Sequence, residues 1–284
     1  MFIQSHEKKF SIKNMCAMLE VSRSGYHEWK KRPRSRRAKN DDRLLELIKI
    51  NFKRSRETYG YRSIYNDLRK KGEFCGRNQV ARLMRKNGIQ PKTVKKFKIT
   101  TDSKRNKPIH ENKLDKQFTA EKPNQSWVSD ITYVETKEGW LYLAAVMDLF
   151  SRKIIGWSMS SRMQAELVGN ALQMALKHRQ LNGELIFHSD RGSQYASDYV
   201  QAILKEKNLT CSMSRKSNCW DNAVMESFFH SLKTECIYHE KFKTREEAKK
   251  TIFDYVEVFY NRQRRHTFLN YCSPVEYERL MYAA

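Results

Sequence analysis

Residues 127–159 read WVSDITYVETKEGWLYLAAVMDLFSRKIIGWSM, and their periodicity decides the fold. Ile131 to Glu135, Trp140 to Met147 and Lys153 to Met159 are strand-length runs rich in β-branched and aromatic residues. Only Lys137-Glu138-Gly139 and Phe150-Ser151-Arg152 separate them. Connections that short join antiparallel neighbours, so the three runs predict a meander. Downstream the period changes. A helix is expected over Ala165–His178, a strand over Leu185–Ser189, a helix over Ser197–Lys207, a strand over Thr210–Ser214 and a helix over Ala223–Thr234. A meander followed by alternating helices and strands predicts a mixed α/β fold, one five-stranded sheet covered by helices on both faces.

Upstream of this core the pattern is helical. Residues 11–30, SIKNMCAMLEVSRSGYHEWK, read as helix, turn, helix: Ile12, Met15, Cys16 and Leu19 recur at helical spacing, Val21 fills the turn and Ser22 is placed to cap the second helix. That helix is expected to turn Tyr26 and Trp29 inward and Ser24, His27 and Glu28 outward. Asp41 or Asp42 can start another helix, Tyr59-Gly60-Tyr61 precedes a third, and Asn78 is expected to cap a fourth that stops at Asn87-Gly88. Residues 92–121 lose all periodicity and read as a linker. The expected organisation is a helix-turn-helix with a basic tail (1–38), a second helical DNA-binding region (39–91), the linker (92–121) and the α/β core with C-terminal helices (122–284).

The chain of 284 residues carries a formal charge of +23, which predicts attraction to polyanions. Residues 1–120 hold 33 Lys and Arg against 12 Asp and Glu, a net of +21; residues 121–284 hold 22 against 20, a net of +2, and four of the five Trp. One half is made to sit on phosphate, the other to fold. A packing protein that only neutralises polyanions has no need of the neutral half. No apolar run approaches the roughly 18 residues of a membrane span, and the N-terminus has no signal-peptide core. The six scattered cysteines include no Cys-x-x-Cys pair and read as free thiols of a reducing cytoplasm. The candidate DNA contacts are Arg23, Lys30, Lys31, Arg32, Arg34, Arg36 and Arg37 around the first helix pair, and Arg82 and Arg85 on the outward face of the fourth helix.

Phosphodiester chemistry in a neutral core usually needs divalent ions about 3.5–4 Å apart, and Mg²⁺ takes oxygen ligands. Asp190 ends a strand and precedes Gly192, which permits a tight turn. Glu226 lies with His230 and Lys233 on the helix face opposite Val224, Met225, Phe228 and Leu232. Asp130 opens the first strand, where an acid is costly unless paired or metal-bound. Asp221 and Asn222 suit N-caps better than ligands. No one of these acids identifies a site alone.

Together, Asp130, Asp190 and Glu226, the last two separated by 35 residues, resemble the DDE triad of retroviral integrases and related transposases. The words around them narrow the resemblance: WVSDITY (127–133), HSDRGSQY (188–195), NCWDNAVMESFFHSLKTE (218–235) and YNRQRRHTFLNYCSPVEY (260–277). With VSRSGYHEWKKRP and YGYRSIYNDLRKKG, they are similar to the second-reading-frame protein of the bacterial insertion-sequence-three family of transposases. The resemblance implies an RNase H-like core and two Mg²⁺ ions, replaceable by Mn²⁺, held by Asp130, Asp190 and Glu226. It also implies cleavage of one strand at each element end, with the freed 3′-hydroxyl attacking target DNA. Lys233 matches a basic position that contacts the terminal DNA. Double-stranded DNA, further copies of the chain and an upstream-frame protein, fused or separate, are the implied partners, on the bacterial nucleoid in the cytoplasm. A nuclease of the RNase H type shares the acids but has no use for so basic an N-terminal half. A DNA-binding regulator with a dead core is disfavoured by the presence of all three acids. His188-x-x-Arg191 fits a tyrosine recombinase, but no tyrosine and upstream arginine stand at suitable spacing.

Non-specific DNA affinity is therefore expected to reside in residues 1–120. Each phosphate neutralised adds about −0.9 to the log–log salt slope, so roughly six to ten contacts cost on the order of 10³–10⁵ in affinity between about 50 and 200 mM salt. Deleting residues 1–120 should flatten that slope and leave a folded core. An unchanged slope would move recognition into the core, with Arg262, Arg264 and Arg265 the first residues to test.

Overall fold

The computed structural model describes residues 2–92, 110–215 and 219–283. Upstream of the sheet lie α1 (Phe2–His6), α2 (Ile12–Met18), α3 (Arg23–Lys31), α4 (Arg36–Arg54), α5 (Tyr61–Lys70) and α6 (Arg77–Lys86). Helices α1 to α3 share a small cluster of Ile3, Met15, Cys16 and Tyr26. Ser22 caps α3 as expected, its hydroxyl accepting from Gly25 N at 3.1 Å. Trp29 is not inward: it is 41% exposed and stacks on Tyr26, and Val21 is exposed too. So small a cluster has too little interior to hide either.

Two other starts differ from the sequence pattern. α4 begins at Arg36, because Ser35 already supplies a cap to Ala38 N and nothing between them breaks the helix. Asp41 instead accepts from Gln79 and Arg82 and ties α4 to α6. α6 is capped at Gly76, whose N–H donates to the Gln79 side chain, and Asn78 lies inside the helix.

The strands β1 (Ser126–Thr136), β2 (Gly139–Asp148), β3 (Lys153–Ser160), β4 (Ile186–Ser189) and β5 (Thr210–Met213) form one sheet in the order β3-β2-β1-β4-β5. The meander is antiparallel; β4 and β5 add in parallel beside β1. The fold is thus the expected mixed sheet with flanking helices. β1 starts at Ser126, earlier than its alternation suggests, because Trp127, Val128 and Ser129 are all buried in a strand covered on both faces.

One face carries α7 (Ala165–His178) and α8 (Asp198–Glu206) over Trp127, Val146, Ile155 and Phe187. α7 comes so near β3 that a Cβ on Gly156 would lie 2.2 Å from the Ala171 carbonyl oxygen. The other face carries α9 (Ala223–Glu235), whose Met225, Phe228 and Leu232 pack on Val128, Val134 and Leu141. α10 (Arg245–Phe253) runs into a π-helical segment, Asp254–Tyr260, and α11 (Pro274–Tyr282) ends the fold. Among the described residues no helix is long and apolar enough to cross a membrane, and Cys16, Cys75, Cys211, Cys236 and Cys272 are free thiols.

The second helical region is packed on the core. Leu44, Ile48, Ile64, Leu68 and Val80 join the same apolar cluster as Met225 and Phe259. Tyr59 Oη donates to the Gln263 carbonyl at 3.0 Å and accepts from Arg265 N at 2.7 Å. Arg265 also reaches Asp67 at 2.8 Å, and Lys70 reaches Glu276 at 3.0 Å. Part of the stretch read as linker, residues 93–109, lies outside the described residues. Its end packs on the sheet: Leu114 is buried, and Lys113 N and Leu114 N donate to Ser212 Oγ. A cut at residue 120 would therefore remove nine of the 29 buried residues of the shared cluster, which revises the expectation of a separable 121–284 fragment.

A chain starting at Ser35 should unfold in one calorimetric transition near that of the full chain, because it keeps every contact of the shared cluster. A chain starting at 122 loses Leu114 and the α4–α6 face and should show no cooperative transition. Cooperative melting of the 122–284 chain would overturn this boundary.

Candidate active site

β1 and β4 pair in parallel only from Ser126↔Ile186 to Val128↔His188. Extending that register by two residues brings Asp130 level with Asp190, on strands that lie about 4.8 Å apart. The period of two puts Asp130 on the face of Val128, the face that α9 covers. β4 ends at Ser189 while β1 runs on to Thr136, so among the described residues β1 keeps β2 on one side there but has no strand on its β4 side. The acids stand at the start of this open edge, and α9 brings Glu226 and Lys233 towards it.

Each acid is held differently. Asp130 Oδ1 accepts from Ile131 N at 2.8 Å, and Asp190 Oδ1 accepts from Gly192 N at 2.9 Å. Gly192 is required for a second reason: a Cβ there would lie 2.9 Å from that same carboxylate oxygen. Burial pushes the Asp130 carboxyl well above the usual range, and the charges of Asp190 and Glu226 push it further. Burial also raises Asp190, against the Gly192 N–H, and raises Glu226. Lys233 is lowered by burial and supported by Asp130; its Nζ lies 4.9 Å from the centroid of the Tyr133 ring.

The three acids thus feel one another, but they are not closed into a cage. Among the described residues no three His, Cys, Asp or Glu side chains stand close enough together to hold a metal ion. Asp130, Asp190 and Glu226 are in no ion pair among the described residues. Three oxygen donors, at least one buried and uncompensated, are the donor chemistry that a hard divalent cation takes.

The pattern of residue types missed the floor of the site. Tyr195 is buried, its hydroxyl 2.8 Å from Ser129 Oγ, and the charges of Asp130 and Asp190 add to burial in raising its phenol. Asn222 is buried at the start of α9 but does not cap it. Its Nδ2 donates to the Ser129 carbonyl at 3.1 Å, and its Oδ1 has no partner. Asp221 is no cap either. It takes three hydrogen bonds from Arg215, which hold its carboxyl down at about 2. Both were legible only as polar residues ahead of a helix.

His188 is remote from any such chemistry. Its ring nitrogens meet Ser212 Oγ at 2.9 Å and Ser214 Oγ at 3.2 Å, and burial lowers it to about 4, so it stays neutral. Arg191 Nε donates to the Ser214 carbonyl. The recombinase pattern His188-x-x-Arg191 is a clasp between β4 and β5. Of the basic residues expected on DNA, Lys30, Arg34 and Arg82 pair with Glu7, Asp42 and Asp41. Arg23, Lys31, Arg32, Arg36, Arg37 and Arg85 are exposed. The alternative basic residues Arg264 and Arg265 are engaged by Glu235 and by Asp67 and Glu276.

Comparison with known proteins agrees with this architecture. Family models described as an integrase core domain match residues 120–219 and 226–281, and one described as an HTH-like domain matches 39–97. The last falls on α4–α6 and not on residues 11–30. The transposase InsF for insertion sequence IS3A of Escherichia coli K12 is 46% identical over 279 residues, 98% of this chain and 97% of the relative. A 31 kDa protein of insertion element IS600 from Shigella sonnei is 45% identical over 263 residues, 93% and 97% of the two chains. The catalytic core domain of BIV integrase aligns with 56% of this chain and 97% of its own at 16% identity, with a TM-score of 0.43. With an integrase core, an HTH-like region and near full-length similarity to an IS3 transposase, the chain belongs to the IS3 family of transposases.

Proposed function

We propose that this transposase cuts one DNA strand at each end of its element and joins the freed 3′-hydroxyl to target DNA, using divalent ions held by Asp130, Asp190 and Glu226. The observation that carries the reading is the register of β1 on β4. It delivers two unpaired carboxylates side by side to an open strand edge that α9 faces with a third. Two Mg²⁺ ions, or Mn²⁺, would supply activation of the attacking oxygen and stabilisation of the leaving one.

The protein's own groups do the rest. Ile131 N–H and Gly192 N–H orient one oxygen of each aspartate and leave the others free. Tyr195 and Asn222 brace the strand at Ser129, the residue before Asp130. Lys233, beside Asp130 and over Tyr133, is placed to take a phosphate of the terminal DNA. The exposed cations around α3 and α6 supply charge for sequence-independent holding of duplex DNA. A hydrolysing nuclease would use the same acids, but it has no call for an HTH-like region fused to so basic a half. We place the protein on the bacterial nucleoid, acting as several copies with an upstream-frame partner, since two element ends must be held together.

Asp190→Asn should abolish strand cleavage and joining on element-end DNA. It should also remove the thermal stabilisation that Mg²⁺ gives the full chain, while melting in EDTA at or above the wild-type temperature, since one repelling charge is gone. Retained cleavage would take Asp190 out of the site. Lys233→Ala should weaken end binding about tenfold and shorten the salt slope by about 0.9, with the Mg²⁺ stabilisation unchanged. Equal losses of folding and of binding would make Lys233 a structural residue.

A further inference from the structure

A cavity of about 370 Å³ lies on the flank of α9 away from the acids, between that helix, the β2–β3 turn and residues 260–268. Its polar lining is Arg152, Arg264, His266, Ser227, Ser231 and Thr267, and no carboxylate lines it. Arg264 is neutralised by Glu235. Arg152 is not. It is only 8% exposed and is in no ion pair among the described residues; its Nη2 donates to the Phe118 carbonyl at 2.6 Å. Its Nη1 is buried with no partner, and His266 Nε2, also on the cavity wall, is buried with none. The ring of Phe268, itself 54% exposed, covers the guanidinium with its centroid 4.1 Å away.

A buried cation without a counter-charge costs several kcal/mol, and burial lowers the Arg152 guanidinium to about 10. A fold that keeps such a group beside three hydroxyls and an orphaned imidazole nitrogen, under one exposed aromatic flap, is made for an oxyanion. The position says which. Ser227 follows Glu226, and Ser231 lies one turn on. At about 1.5 Å rise per residue, the cavity lies within about 8 Å of Glu226 along the helix axis. Across a helix about 10–12 Å wide, that puts the mouth within about 14 Å of Glu226, about four base pairs at about 3.4 Å each along a duplex axis.

We propose that this cavity is a phosphate subsite that seats a backbone phosphate of the bound DNA strand, with Arg152 as its charge, Ser227 and Thr267 as hydroxyl donors, Ser231 at its mouth with its own proton given to the Ser227 carbonyl, and Phe268 as the flap that moves aside. The proposal rests on the reading that DNA lies against Glu226, but not on the catalytic assignment, and it is tested without catalysis.

The full-length chain is bound to element-end duplex in EDTA across a salt series, for wild type, Arg152→Met and Ser231→Glu. Arg152→Met removes an uncompensated charge and keeps the stem, so its melting temperature should equal or exceed that of wild type. Its affinity should fall about tenfold and its log–log salt slope should be shallower by about 0.9. Ser231→Glu sets a carboxylate at the mouth and should weaken binding comparably while the chain stays folded. A wild-type slope and affinity in a folded Ser231→Glu overturns the proposal even if Arg152→Met unfolds. Inorganic phosphate that stabilises wild type but not Arg152→Met, with equal DNA slopes, would assign the cavity to a free phosphate and overturn the DNA source. Loss of self-association with an unchanged DNA slope would seat a carboxylate of a second copy there and overturn it too. If instead Asp190→Asn still cleaves, the catalytic reading fails while these binding data stand.

Discussion

Two carboxylates stand at the same level on adjacent parallel strands, under a helix that brings a third, and the surrounding structure accommodates that charge. Parallel pairing of β1 with β4 is what sets Asp130 beside Asp190. Burial then raises every acid in the set, and mutual repulsion adds to it at Asp130. The sheet face is otherwise apolar, and the edge of β1 beyond has no strand on its β4 side, so the charge is reached by solvent from there. The supporting groups follow from the same constraint. Gly192 has no side chain because one would strike the Asp190 carboxylate. Ser129, the residue before Asp130, is fixed from both sides, by Tyr195 through its hydroxyl and by Asn222 through its carbonyl.

α9 carries this arrangement to the rest of the molecule. Its apolar side packs on β1 and β2, its Glu226 and Lys233 side looks to the acids, and its Ser227 and Ser231 side lines the cationic cavity. Its last residue, Glu235, is gripped by Arg264 through three hydrogen bonds and by the Tyr255 hydroxyl at 2.8 Å. Phe228 meets Tyr260 edge-on at 4.8 Å. The segment that grips α9 also grips the HTH-like region: Arg265, next to Arg264, binds Asp67 of α5, and Asp254, next to Tyr255, binds Arg56. Residues 254–265 thereby join α4–α6 to the helix that carries Glu226.

The division of charge has a structural counterpart different from the one the chain order suggests. The basic half is not one arm. Helices α1–α3 have their own small cluster, whereas α4–α6 complete the core of the neutral half. Part of the positive charge in α4–α6 is paired with acids: Arg43 with Glu73, Lys49 with Glu46, Lys70 with Glu276 and Arg82 with Asp41. Exposed pairs of this kind are worth little and break readily for a phosphate, so they mask the charge without cancelling it.

The sequence by itself determined the type and order of the sheet elements, because short polar turns and strand-length apolar runs leave the meander no other pairing. It determined the cap at Ser22, where a hydroxyl stands directly ahead of a periodic run. It singled out Asp130, Asp190, Glu226 and Lys233 as candidates through the motif words around them, and Glu226 and Lys233 also through a shared helix face. It could not show that β1 begins at Ser126, since a strand buried on both faces has no alternation to read. Nor could it show that Asn222 braces a strand, that His188 is a neutral clasp or that Arg152 is buried without a counter-charge. The last three depend on partners 24 to 93 residues away in the chain: Ser212 for His188, Phe118 for Arg152 and Ser129 for Asn222. Local periodicity reports which face of an element is apolar; only the packed fold decides which polar group meets which, because that depends on register and distance between elements.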